Sequence, residues 1–396
     1  MTLPNKKRKL LLVTGNRAEY GIQSNLIKRL SEDKSLNFRL VVTGAHLEKK
    51  LGESFKEIVS DGVKVDEKVQ VIEYKNNEIN TSNSIANTIK KISLVYENYS
   101  PDLIILLGDR FEIFASAIAA TIQRIPLAHI HGGEKTTGSL DDMFRHCITK
   151  MSHIHFAATD EYKKRIIQLG ENPNYVFNFG SLGVENINNL ALKNKQELET
   201  ELNFSFSNST ILVTYHPPSV YSEDEIKNEF QELLASLKKI ANVNYIFSKS
   251  NADKCGAVIN SLIDEFISVN KASKAFDNLG HKLYLSCMKY SNGVVGNSSS
   301  GIIEAPSFNI GTVNIGNRQA GRVKAASVIS VLPQEEYITS AIQQILSKKF
   351  ADKIQNIKNP YEFGMTSKYI IGKLKTLELD KLFIKEFNDI NFTGMK

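Results

Sequence analysis

Carboxylates, histidines and arginines recur in this chain directly after short apolar runs, where a turn leads into a helical pattern. "TGNRAEYG" holds Arg17 and Glu19, "GDRFE" holds Asp109, Arg110 and Glu112, "HIHGGEKTTGSLDD" holds His129, His131, Glu134, Asp141 and Asp142, and "TYHPP" holds His216. Clustered carboxylates with histidines nearby are the groups of general acid–base chemistry, since one can hold a proton while its neighbour takes one. Each has a plainer reading. Asp109 could N-cap the helix "RFEIFASAIAA", Asp141 and Asp142 could do the same for "MFRHCITKM", and Glu134 could be a solvated loop acid. His129 and His131 form an HxH pair that, with His216 and Asp109, could build a metal-dependent hydrolase site, although nothing fixes the spacing of the separate regions. His153 and His155 alternate into a strand and read as packing or hydrogen-bonded core residues.

A second kind of chemistry is written in "VVGNSSSGIIEAP", residues 294–306. A glycine, three serines and Gly301 at a strand-to-helix turn let the backbone approach an anion closely, and N–H groups at a helix start favour negative charge. Ser298, Ser299 and Ser300 would cradle a phosphate or pyrophosphate, and Glu304, one or two turns into the helix, could accept hydrogen bonds from both ribose hydroxyls. An N-cap and turn is the competing use of such serines. The next strand-to-loop passage, "NIGNRQAGR", adds Arg318 and Arg322, whose forked guanidinium groups suit phosphate oxygens. The chain has neither GxGxxG after a strand nor GxxxxGK[ST], so dinucleotide and P-loop sites are unsupported.

These residues need strands and helices to position them, and the pattern supplies both. "LLLV" (10–13), "FRLVV" (38–42), "LIILL" (103–107), "PLAHI" (126–130), "IHFAA" (154–158) and "YVFNF" (175–179) read as strands separated by helix-length segments. After a polar stretch around 190–208, taken as the domain junction, the alternation restarts with "TILVTY" (210–215), "VNYIFS" (243–248), "KLYL" (282–285), "GVVG" (293–296) and "IGTVNI" (310–315). The fold class expected is α/β, with two doubly wound domains in succession. Ligands of such sheets bind beyond the carboxyl ends of the strands, where the reactive stretches lie.

Composition narrows the function. With 396 residues, 42% of them hydrophobic, the chain can bury more than one core. No apolar run reaches the roughly 20 residues that span a bilayer, and the basic start "MTLPNKKRKLLLV" has too short an apolar region for a signal peptide, so a cytoplasmic protein without a membrane partner is expected. The net charge of +6 is spread along the chain and interleaved with acids, which argues against nucleic acid and leaves room for an anionic small substrate. Cys147, Cys255 and Cys287 form no CxxC pair and read as ordinary buried thiols.

In order, "TGNRAEYG", "GDRFE", "HIHGGE…GSLDDMFRH", "FGSLGVEN", "TYHP", "GNSSSGIIEAP" and "IGNRQAGR" make the chain resemble the UDP-N-acetylglucosamine 2-epimerases, over roughly residues 10–370 and within the hydrolysing branch. That resemblance implies the GT-B architecture of two Rossmann-like domains, here 1–190 and 191–375, with the nucleotide sugar in the cleft between them and a helix in 376–396 packing back on the first. It implies conversion of UDP-N-acetylglucosamine and water to N-acetylmannosamine and UDP through a 2-acetamidoglucal, for sialic acid, or the same reaction on UDP-N,N'-diacetylbacillosamine for legionaminic acid. A UDP-sugar partner, no metal or other cofactor, and a homodimer or homotetramer follow from the same resemblance. By match of motifs Asp109, Glu134 and Asp141 look like the acid and base carboxylates, with Asp142 one alignment step away. His216 looks like the histidine near the leaving pyrophosphate, Arg17 like a phosphate contact, and Ser298, Ser299 and Glu304 like phosphate and ribose contacts. Two departures stand out. His131 occupies the position of a glutamate in non-hydrolysing relatives, so either His131 or Glu134 could act there, and Asn16 replaces a threonine or serine. A GT-B glycosyltransferase and a non-catalytic UDP-sugar sensor are the remaining readings.

Overall fold

A computed structural model describes residues 7–73, 78–217, 221–250, 256–382 and 384–390. The described residues fall into two compact units, one drawn from Met1–Glu134, Asp141–Asn186 and Phe363–Lys396, the other from Lys135–Leu140 and Ile187–Glu362.

The first unit is built on strands β1 (Arg8–Thr14), β2 (Leu36–Thr43), β3 (Glu67–Val69), β4 (Leu103–Leu107), β5 (Leu127–Ile130), β6 (Ile154–Ala157) and β7 (Val176–Asn178). They form one parallel sheet in the order β3-β2-β1-β4-β5-β6-β7. The central pair is apolar throughout 10–13 of β1 and 103–107 of β4 because helices cover both faces. Leu10, Leu12, Leu103 and Ile105 enter one core, and Leu11, Val13, Ile104 and Leu106 the other, as a period of two requires. The last α-helix spans Thr366–Thr376 and places Ile370, Ile371 and Leu374 in the first of these cores. It therefore ends where the helix of 376–396 was expected to begin; among the described residues beyond it only a 3-10 turn, Leu379–Leu382, is found. Glu185 fixes its start, its carboxylate accepting from both Ser367 N and Ser367 Oγ at 2.8 Å.

The second unit contains β8 (Ser209–Thr214), β9 (Val243–Ser248), β10 (Lys274–Phe276), β11 (Gly293–Gly296), β12 (Gly311–Ile315) and β13 (Val328–Val331), in the parallel order β10-β9-β8-β11-β12-β13. Both sheets thus run outward in opposite directions from a central pair, β1 with β4 and β8 with β11. The stretch around 190–208 holds a helix, Lys195–Leu202, with a capping box from Asn194 and Glu197, and its Leu198 and Leu202 join Phe204 and Phe206 in a core of this unit.

"KLYL" is not a strand. It lies in the helix Gly280–Tyr290, where Leu283 and Cys287, spaced by four from the N-cap residue Leu279, pack with it in one core. The strand of that region is the short edge strand β10, whose three half-buried residues carry no alternating pattern. Cys147 is exposed rather than buried, Cys287 is buried, and Cys255 lies outside the described residues. His153 and His155 do serve the core, His153 Nδ1 accepting from Leu127 N at 3.2 Å and His155 Nε2 lying 3.0 Å from Glu171 Oε2. No helix among the described residues is long and apolar enough to cross a membrane.

Gly296 marks the tightest point of the second sheet: at φ +140°, a Cβ there would stand 2.0 Å from Thr214 O. Gly296→Ala should therefore destabilise the protein by about 2 kcal/mol or more. Gly372→Ala, in open space within the last helix, should stabilise it by about 0.5–1 kcal/mol. Urea unfolding of the two variants checks both signs.

Candidate active site

In the first unit β1 runs into Gly15 and Asn16 and then the helix Arg17–Glu32. Asn16 is extended and caps that helix, its Oδ1 accepting from Glu19 N at 3.0 Å while its Nδ2 donates to Glu19 Oε1 at 2.7 Å. Gly15 N donates to the other Glu19 oxygen at 2.7 Å. Glu112 approaches the same glycine from the far side, so close that a Cβ on Gly15 would lie 2.4 Å from its Cγ. Burial, and then the charge of Glu112, push the Glu19 carboxyl well above the usual range. Arg17, partly exposed, pairs with Glu57, Nε to Oε2 at 2.7 Å.

Beyond β4, Gly108 turns the chain at φ +85° and Asp109 precedes the helix Phe111–Ile122. The N-cap of that helix is Arg110, without a side-chain capping bond, so capping does not account for Asp109. Its carboxylate instead pairs with Arg145 Nη2. Arg145 sits in the helix Leu140–Met151, 3% exposed, and its Nη1 also donates to Asp142 Oδ1 at 2.8 Å and to the Glu134 carbonyl at 3.1 Å. One guanidinium thereby gathers the ends of two loops and a helix. Burial and the neighbouring Asp109 charge push Asp141 up to about 6, so it can exchange a proton near neutral pH.

Beyond β5, His131 adopts φ +65°, with its N–H donating to Phe156 O at 3.0 Å. Its Nδ1 stands 2.8 Å from Glu134 Oε1, and both side chains are buried. The sequence left His131 and Glu134 as alternatives; they form a pair. His129 is otherwise occupied. Its Nε2 is 2.8 Å from Gly108 O and its Nδ1 3.1 Å from Thr149 Oγ1, so Nε2 carries the proton and the hydroxyl donates to Nδ1. Burial lowers its pKa to about 3. With both ring nitrogens used, His129 cannot complete an HxH metal site, and no group of three or more His, Cys, Asp or Glu among the described residues could hold a metal ion.

In the second unit, Asn297 follows β11 and holds the chain that follows β8. Its Oδ1 accepts from His216 N at 2.7 Å, and its Nδ2 donates to His216 O at 2.8 Å. Arg318 Nη1 and Gln319 Nε2, from the loop after β12, donate to Asn297 O at 3.0 and 2.9 Å. His216, Asn297 and Arg318 are thus joined, and burial together with the Arg318 charge lowers the His216 imidazole to about 3. The serines form a hydroxyl chain: Thr214 Oγ1 lies 3.0 Å from Tyr284 Oη, Tyr284 Oη 2.6 Å from Ser300 Oγ, and Ser300 Oγ donates to Ser298 Oγ at 2.9 Å. Ser299 is the N-cap residue but makes no side-chain capping bond. The helix that follows is only Ser300–Ile303, and Glu304, buried, closes it rather than lying inside it. Gly301 packs on Thr312, whose Oγ1 donates to Gly301 O at 2.7 Å. Arg322 Nη2 lies 3.4 Å from Thr136 Oγ1, within the same unit.

The structure therefore collects Asp109, His131, Glu134, Asp141 and Asp142 at the ends of β4 and β5, and His216, Ser298, Ser300 and Arg318 at the ends of β8, β11 and β12. Sequence reasoning overlooked Arg145, Asn297 and Tyr284. Arg145 was within reach, since it stands three residues after Asp142 on one helix face. Asn297 occupies the same post-strand position that selected the serines. Tyr284 was hidden by reading its helix as a strand.

The sequence profile of the UDP-N-acetylglucosamine 2-epimerase family matches residues 28–375. The GDP/UDP-N,N'-diacetylbacillosamine 2-epimerase (hydrolyzing) of Campylobacter jejuni is 38% identical over 97% of this chain and 100% of its own length. Polysialic acid biosynthesis protein P7 of Escherichia coli is 40% identical over 89% of this chain and 90% of its own. A crystal structure of UDP-GlcNAc 2-epimerase from Neisseria meningitidis bound to UDP-GlcNAc superposes with a TM-score of 0.80 at 20% identity, covering 93% of this chain and all of that one, and shares the fold. Two doubly wound sheets, the ordered motifs and these matches agree: the chain belongs to the UDP-N-acetylglucosamine 2-epimerase family.

Proposed function

We propose that this protein is a hydrolysing 2-epimerase that converts UDP-N-acetylglucosamine and water to N-acetylmannosamine and UDP. The observation that carries the reading is the cluster at the ends of β4 and β5, where Arg145 binds Asp109 and Asp142 beside Asp141 and the His131–Glu134 pair. In the first step a base takes the C2 proton while the C1–O bond to UDP breaks, and the electron pair left at C2 becomes the C1=C2 bond of the 2-acetamidoglucal. In the second, water adds its oxygen to C1 and gives up a proton, and an acid delivers a proton to C2 from the opposite face. Asp141, titrating near neutrality, suits the base, and the His131–Glu134 pair suits the acid. Asp109 sets the field in which Asp141 titrates. On the nucleotide side Ser298, Ser299, Ser300, Gly301 and Arg318 offer donors to the pyrophosphate, with Arg17 and Arg322 as further cations, Glu304 for the ribose hydroxyls and His216 beside the leaving group. The net change is redox-neutral and its proton transfers lie within reach of carboxylates, so the scheme calls for neither nicotinamide nor metal. A homodimer or homotetramer and a cytoplasmic location belong to the same reading.

The name of the Campylobacter jejuni relative favours a second substrate, UDP-N,N'-diacetylbacillosamine, undergoing the same reaction. Proton NMR with each sugar nucleotide in deuterated buffer containing EDTA separates the two. Turnover should release UDP and a manno-configured sugar carrying deuterium at C2, and the sugar consumed names the substrate. Product retaining the original C2 proton would rule out elimination, and transfer only to an acceptor would return the glycosyltransferase reading.

Asp141→Asn should leave UDP affinity within a few fold and reduce turnover by about two orders of magnitude or more; near-normal turnover would remove Asp141 as the base. With Asp141 as base, kcat should rise as pH passes upward through about 6, because the carboxyl is protonated and inactive below its raised pKa. Asp109→Asn, which takes away a charge that raises that pKa, should move the limb to lower pH. Arg17→Ala and Glu304→Ala should mainly weaken UDP binding, and unchanged affinity in calorimetry would contradict their place in the clamp.

A further inference from the structure

At the carboxyl end of the β8–β11 pair the chain is held by a side chain where a sheet rung can no longer form. Gly296 pairs with Thr214 in register, and Asn297 N donates to Thr214 O at 3.2 Å. Beyond that point β8 has ended, and His216 is followed by Pro217, which has no N–H to offer. The Asn297 amide takes over the pairing: Oδ1 accepts from His216 N and Nδ2 donates to His216 O, at 2.7 and 2.8 Å, as a neighbouring strand would. Gly296 makes this reach possible, since any side chain there would collide with Thr214 O and push β11 away. Asn297 is 2% exposed, so its side chain grips the protein rather than a ligand.

We propose that Asn297 is the positioning residue for His216, gripping its main chain on both sides so that the imidazole stands where the leaving pyrophosphate departs. The inference rests on the reading of His216 given above. The division of labour within Asn297 makes it separable from a general brace. Its main-chain carbonyl, which receives Arg318 and Gln319, survives any substitution, while its side chain serves His216 alone among the bonds that involve it.

The test is a double-mutant cycle of Asn297→Ala and His216→Ala, read as kcat/KM on the sugar nucleotide that the wild type consumes, with the unfolding midpoint followed in parallel. Asn297→Ala should lower kcat/KM by about 10- to 100-fold in the wild-type background and by less than about twofold once His216 is alanine. Independent, multiplying losses would overturn the proposal. Asn297→Asp, which keeps the acceptor and the shape but loses the donor to His216 O, covers the case in which the alanine variant does not fold, with a smaller loss that likewise vanishes without His216. NMR titration gives an arm that needs no turnover: burial and the Arg318 charge lower the wild-type His216 imidazole to about 3, and Asn297→Ala should let it titrate closer to the ordinary value of roughly 6.5. An unshifted titration would sink the positioning role, whereas a wild type that consumes neither sugar nucleotide would sink the epimerase reading and leave this arm to decide.

Discussion

Carboxylates repel one another, and a site that gathers several must contain a cation placed before any substrate arrives. Arg145 is that cation. Its two terminal nitrogens reach Asp109, Asp142 and the Glu134 carbonyl from a position 3% exposed, so the loops after β4 and β5 and the start of the helix Leu140–Met151 are bound to one rigid fork. The arrangement leaves a graded set of acids. Asp109 and Asp142 are charge-paired, while Asp141, next to Asp142 on the helix, feels burial and the Asp109 charge and titrates near 6. The elimination and hydration proposed above take a proton at one step and supply one at another, which calls for groups whose environments differ in this way.

The two units solve the same backbone problem at their central strand pairs. In a doubly wound sheet the connections leave the central pair toward opposite faces, opening a crevice at the carboxyl ends. Each crevice is approached by a glycine under close contact: Gly15 against the Glu112 carboxylate and Gly296 against the Thr214 carbonyl. In the first unit the space admits a buried acid beside Glu19; in the second it admits the Asn297 amide. Glycine is required here by what stands where a Cβ would be, not by the turn alone.

The sequence displayed the sheets well because parallel strands buried on both faces are continuous apolar runs, as in "LLLV" and "LIILL". The elements it hid are those whose burial is partial. β3, β10 and β13 are short strands at or near sheet edges, with too little apolar surface to stand out. The helix Gly280–Tyr290 contains an apolar pair, Leu283 and Leu285, at strand spacing, and only the wider interval from Leu279 to Cys287 reveals its period. The site was legible as positions, since ligand-side residues follow strands, and illegible as partnerships. No spacing connects Asp109 with Arg145, or Asn297 with His216, because the sheet order that brings them together is a long-range property.

The serine turn, proposed above to hold the pyrophosphate, has little help from a helix dipole. An α-helix of four residues aligns few peptide dipoles, so Ser300–Ile303 cannot supply the field that a long helix offers at its N-terminus. What remains are local donors: hydroxyls ordered by the chain from Thr214 through Tyr284 to Ser300 and Ser298, free of capping duty at Ser299, and the guanidinium of Arg318 held against Asn297. Such donors have direction and can be tuned one at a time, whereas a dipole acts on any anion near it. In the reaction proposed above, where a diphosphate must be held as its C1–O bond breaks, directed donors are the better instrument, because they can be aimed at the charge that develops on the departing group.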